Sequence, residues 1–99
     1  MNLIERTPEF DDWLLQLKDL KGRARIAARI NSAALGNFGD CKPVGDGISE
    51  MRIDFGPGYR VYYTRRRQVV YLLLIGGDKG TQRQDITKAK ALLQNLPKE

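Results

Sequence analysis

Hydrophobic residues recur along this chain first with a helical period and then with a strand period. Phe10, Trp13, Leu14 and Leu17 fall three and four apart, which gathers them on one side of a helix. Thr7-Pro8-Glu9 supplies its start: a hydroxyl to cap, a proline at the first helical position and an acid in the first turn. Residues 2–5 ahead of it read as a short strand. Gly22 interrupts the pattern. A second helix is expected over about residues 23–35, with Ile26, Ala27, Ile30 and Ala34 on its apolar stripe and Gly36-Asn37 as its stop. The short break between the two predicts a helical hairpin.

Residues 38–47, with their glycines, aspartates and Pro43, read as a loop that carries Lys42. After it the period drops to two. Met51, Ile53 and Phe55 alternate with Glu50, Arg52 and Asp54; beyond a Gly56-Pro57-Gly58 turn, Tyr59, Val61 and Tyr63 alternate with Arg60, Tyr62 and Thr64. Residues 68–75 are apolar on both faces and take a central place in the sheet, with Arg65-Arg66-Arg67 as an exposed turn before them. The run from Gly76 to Gly80 ends that strand, and Thr81 with Gln84 forms a capping box for a last helix. Its stripe is Ile86, Ala89, Leu92, Leu93 and Leu96, and Pro97 stops it. The elements predict an α+β sandwich: an N-terminal helical hairpin packed on a small twisted antiparallel sheet, with a C-terminal helix.

Length and composition narrow this further. A chain of 99 residues, 41% hydrophobic and 29% charged, builds one core and therefore one domain, and it is too apolar to stay disordered. A net charge of +5 favours a polyanionic partner, because a basic surface releases counterions from phosphates. Cys41 is the single cysteine, which rules out an intramolecular disulfide and a cysteine metal cluster, and with no histidine to activate it Cys41 reads as an incidental thiol. No metal or cofactor is expected. The N-terminal stretch lacks the apolar run of a signal peptide and the longest apolar run, residues 69–75, is far too short to span a membrane, so the expected home is the cytoplasm.

The charged residues beside the turn pose the functional question. Glu50, Arg52 and Asp54 share one strand face, which Arg60 and Tyr62 join across the turn. The residues alone leave two readings open: an exposed face of cross-strand ion pairs, or an anion site. Lys79, in the turn after the third run, and Lys42, in the loop before the first, both converge on this face. Clustered cations repel one another unless an anion joins them, and phosphate is such an anion. Arg52 and Arg60 suit the charge of a phosphoryl transition state, since the guanidinium fork matches phosphate oxygens two at a time. Lys79 is the candidate for acid-base work. The absence of histidine excludes a paired-imidazole nuclease, and the carboxylates have no metal-site spacing. Arg25 and Arg29, four apart on the second helix, form either a solvated face or an RNA-contacting one, and Arg83 at the start of the last helix is placed with them. Tyr62 either packs or stacks on a base.

The segments GNFGDCKPVGDGISEMRIDFGPGYRVYY and LLLIGGDKGTQRQDITKAKALL resemble the RelE/ParE superfamily of toxin-antitoxin toxins, in particular its HigB-like addiction-module killer proteins. The likeness runs through nearly the whole chain. It implies a RelE-like fold, with helices on one side of the sheet and a basic concave face left for substrate. It also implies a toxin of a type II system: a ribosome-dependent, metal-independent endoribonuclease that cuts messenger RNA with the 2′-hydroxyl as nucleophile. Arg60 corresponds to the arginine on the scissile phosphate, Lys79 to a second basic catalytic residue, and Arg52 lies on the strand that supplies a further one. Ile86 stands where such toxins carry a catalytic tyrosine, and Asp54 where a second lysine is usual. The implied partners are the ribosome with its messenger RNA and a cognate antitoxin, a small helix-turn-helix protein through which alone promoter DNA would be bound. The alternatives on the same fold are a ParE-type gyrase inhibitor and an inactive RNA-binding module.

Overall fold

Thr7 fixes the first corner of the chain. Its Oγ1 accepts the Phe10 N–H at 2.9 Å and donates to the Leu74 carbonyl at 2.7 Å, so the start of the first helix is tied to the sheet. The computed structural model describes residues 1–97. In chain order they form β1 (Leu3–Arg6), α1 (Pro8–Gln16), α2 (Leu20–Ala34), β2 (Cys41–Gly45), β3 (Ile48–Ile53), β4 (Tyr59–Arg67), β5 (Val70–Asp78), a 3₁₀ turn (Lys79–Thr81) and α3 (Gln82–Gln94).

The five strands make one sheet in the order β1-β5-β4-β3-β2. β3, β4 and β5 pair antiparallel with their sequence neighbours, as expected, and β2 adds to β3 in the same sense, but β1 runs parallel to β5, so the sheet is mixed rather than antiparallel. The two-helix connection carries the chain over the sheet and returns it through β2 to β4 before β5 lies beside β1. α1 packs over β5 and α2 over β1 and β3, burying Phe10, Ile26 and Ala33 against Met51, Ile53, Val61 and Leu73. α3 packs on the opposite face, where Ala89 meets Ile48, Tyr62, Leu74 and Ile75. The fold is α+β in three layers, which corrects the expectation that one face of the sheet stays open. A bulge in β5 lets both Leu74 and Ile75 face α3, because Tyr62 pairs with Ile75 while Tyr63 pairs with Leu73.

Several expected boundaries move, each for a local reason. Residues 41–45, read as loop, pair with β3 as an edge strand. Gly22 lies inside α2, not before it: Asp19 caps the helix by accepting the Gly22 N–H at 3.0 Å. The buried positions of α2 are consequently Gly22, Ile26 and Ala33, while Ala27 is exposed. Arg65, Arg66 and Arg67 continue β4 rather than forming the turn, which falls at residues 68 and 69. Gly76 and Gly77 sit within β5, where Trp13 on one side and Asp85 on the other leave no room for a Cβ. The capping box is made by Asp78 with Thr81 around the 3₁₀ turn, not by Thr81 with Gln84.

Candidate functional site

The β3–β4 hairpin and the 3₁₀ turn meet at one end of the sheet. Gly58, at φ +81°, accepts the Lys79 N–H on its carbonyl at 2.8 Å and lies against both the Arg60 guanidinium and the Lys79 Cβ. A Cβ there would touch both residues, and its backbone would be strained in the left-handed region. This contact brings Lys79 beside Arg60. In the ladder Arg52 lies opposite Arg60, and Arg60 opposite Gly77. The result is an open cleft of about 360 Å³ lined by Arg52, Arg60 and Lys79, by the Gly56-Pro57-Gly58 turn, and by Asp40 and Asp54.

Behind the cleft lies Glu50, whose side chain is 0% exposed. Its Oε1 is 3.1 Å from Arg52 Nε and 3.7 Å from Arg60 Nε. Its Oε2 accepts the Tyr62 hydroxyl at 3.1 Å and the Gln82 side-chain amide at 2.6 Å. Burial pushes the Glu50 carboxyl up, but the hydrogen bonds from Arg52, Gln82 and Tyr62 and the charge of Arg60 outweigh it and hold the group below its ordinary value. Burial, then the adjacent Glu50 charge, drives the Tyr62 hydroxyl well above its ordinary value. Arg60 donates through Nη1 to the carbonyls of Gly58 and Tyr59, at 3.0 and 3.2 Å, while its buried Nε has no hydrogen-bond partner. One carboxylate thus serves two guanidiniums, and Lys79 forms no ion pair among the described residues. Against the two aspartates of the lining, the cleft thus offers guanidinium and ammonium donors of the kind that bind the several acceptor oxygens of a small oxyanion.

The other expected contacts fall differently. Arg29 is used structurally: its guanidinium binds the Arg52 carbonyl and the carbonyls of Phe38 and Asp40, the last two at 3.0 and 3.2 Å, and so pins the approach to β2 against β3. Arg25 is exposed, with its guanidinium carbon 4.8 Å from the centre of the Phe55 ring. Lys42, opposite Glu50 on β2, and Arg83 on α3 are exposed but do not line the cleft. Tyr62 is 0% exposed under α3, which removes it as a base-stacking surface. Cys41 is exposed on the edge strand β2. Sequence reasoning missed Glu50 as a buried hub. The signal for it was the parity that puts Glu50 with Arg52 and Tyr62; nothing in the strand pattern pointed to Gln82, which arrives from α3. No group of three or more acidic or cysteine side chains placed to hold a metal ion occurs among the described residues. Nor is any helix among them long and apolar enough to cross a membrane.

The fold and cleft define a small α+β protein with a charged cleft, lined by two arginines, a lysine and two aspartates, at the end of a mixed five-stranded sheet. The chain belongs to the same family as a Haemophilus influenzae protein described as an uncharacterized protein, to which it is 54% identical over 93 residues, 94% of each chain. No family model matches it.

Proposed function

We propose that this protein is a RelE/ParE-type, HigB-like toxin of a type II toxin-antitoxin system that acts as a ribosome-dependent messenger-RNA endoribonuclease. The observation that carries the reading is the convergence of Arg52, Arg60 and Lys79 on one open cleft with a single buried carboxylate behind the two arginines. In the proposed reaction the RNA 2′-hydroxyl gives up its proton to solvent water and attacks the adjacent phosphorus, the bond to the 5′-oxygen breaks, and a 2′,3′-cyclic phosphate and a 5′-hydroxyl result. Arg52 and Arg60 stabilise the charge that builds on the phosphoryl oxygens, and Lys79 gives the leaving oxygen its proton. The reaction needs no metal. The antitoxin, a small helix-turn-helix protein, covers the cleft or blocks ribosome docking, and the pair works in the cytoplasm.

The test is cleavage of messenger RNA on programmed ribosomes. Wild-type protein is expected to cut within the decoding site, and Arg60→Ala to reduce cutting by at least about 100-fold with an unchanged circular-dichroism spectrum. Intact transcripts, together with trapped DNA cleavage in a gyrase supercoiling assay, would replace this reading by the gyrase-directed one.

A further inference from the structure

Among the described residues Glu50 is the one acid that is fully buried. Stability does not explain why it is there, since a buried ion pair gains little over an apolar side chain of similar volume. Charge does not explain it either, because a carboxylate behind an anion site weakens anion binding. Geometry does. A guanidinium has one edge at Nε and a fork at its Nη atoms, and Glu50 takes the Nε edge of Arg52 and faces that of Arg60 with the same oxygen. Neither Nη atom of Arg52 and not Nη2 of Arg60 forms a hydrogen bond among the described residues. The carboxylate itself is held from two elements, by Tyr62 on β4 and Gln82 on α3.

We propose that Glu50 is a positioning residue: it turns the two arginines so that their free Nη donors converge on one phosphate group in the cleft, with Tyr62 and Gln82 fixing its own orientation. The Arg60 Nε, buried and 3.7 Å from Glu50 Oε1, is the donor left to close on that oxygen when an anion draws the fork into place. This inference rests on the anion-binding reading of the cleft, not on the ribosome as its target.

Removing the charge of Glu50 separates positioning from simple attraction by sign. If attraction alone governed the cleft, Glu50→Gln would bind anions more tightly; if Glu50 positions the donors, it binds them more weakly. The experiment titrates inorganic phosphate into the full-length protein while following the arginine Nε–Hε NMR resonances, with circular dichroism as the fold control. Wild type is expected to show phosphate-dependent shifts at Arg52 and Arg60. In Glu50→Gln these resonances should collapse toward those of exposed arginines, and affinity should fall about fivefold, the worth of one hydrogen bond. Gln82→Ala leaves every charge in place and removes one donor from Glu50; it is expected to weaken phosphate about threefold, and it decides the matter if Glu50→Gln does not fold. Equal or tighter binding by a folded Glu50→Gln, an unaltered affinity in Gln82→Ala, or a wild type that ignores phosphate would each overturn the proposal. Phosphate binding without ribosomal cleavage would overturn the nuclease reading and leave this one standing.

Discussion

At the scale of single residues, the ionisation of Glu50 links the cleft to the stability of the whole chain. The folded protein holds the Glu50 proton less tightly than the unfolded chain does, because Arg52, Gln82, Tyr62 and Arg60 together outweigh the effect of burial. Ionised Glu50 therefore stabilises the fold at neutral pH, and that contribution disappears as pH falls below about 4.5 and through the folded value. Urea melts taken from about pH 7 to about pH 3 should show wild type losing more stability over this window than Glu50→Gln. Parallel curves would show that Glu50 is not the linked group. Gly58 gives a second residue-level expectation. Gly58→Ala places a Cβ in a left-handed backbone conformation against Arg60 and Lys79, and should cost about 1 kcal/mol in a denaturant melt while lowering cleavage more than that loss explains. Arg52, Arg60 and Lys79 were legible in the sequence because strand parity and the two glycine-rich turns fix where they lie. The burial of Glu50 and Tyr62 was not legible, since parity assigns a face without saying what covers it.

At the scale of elements, local signals were readable wherever a side chain bonds its own neighbourhood. Thr7-Pro8-Glu9 announced α1, and the Thr7 hydroxyl does accept the Phe10 N–H. The same hydroxyl also donates to Leu74, a partner 67 positions away that no local pattern contains. Thr7→Ala should therefore cost about 1–2 kcal/mol in thermal or denaturant unfolding, and Thr7→Ser, which keeps both bonds, far less. Equal losses in the two variants would assign the effect to the methyl group instead. Where an element depends on a distant partner, the sequence misled. Residues 41–45 have loop composition and become β2 because β3 offers them an edge and Arg29 clamps the preceding carbonyls. Gly22 looked like a helix breaker, yet it is small because Asp19 and the Tyr59 ring crowd it, joined by a 2.8 Å hydrogen bond between the Tyr59 hydroxyl and the Asp19 carboxylate. Likewise α3 was recognised as a helix from its stripe, but its choice of sheet face is a tertiary outcome, and that choice converts a supposedly open polar surface into a second core.

At the scale of the whole molecule, a net charge of +5 does not by itself identify a binding surface; what matters is which of the cations meet the ligand. Of the eight residues proposed for RNA, three line the cleft, Tyr62 is buried, Arg29 is tied to backbone carbonyls, and Lys42, Arg25 and Arg83 are exposed outside the cleft lining. The two groups make different contributions to binding a single-stranded RNA. Exposed cations outside the cleft add to a nonspecific attraction that salt screens, whereas each phosphate neutralised in the cleft releases counterions and steepens the dependence of log affinity on log salt by roughly 0.7 for a single strand. Converting Arg52, Arg60 and Lys79 together to glutamine should then flatten that slope by up to about 2, and the corresponding change at Lys42, Arg25 and Arg83 by distinctly less. Fluorescence anisotropy with a labelled RNA oligonucleotide, between about 50 and 200 mM salt, measures both slopes. If the exterior triple variant flattens the slope as much as the cleft variant does, RNA is held by general surface charge and the cleft has no privileged place in recognition. If only the cleft variant does so, the end of the sheet where the hairpin meets the 3₁₀ turn is where the phosphate backbone lies.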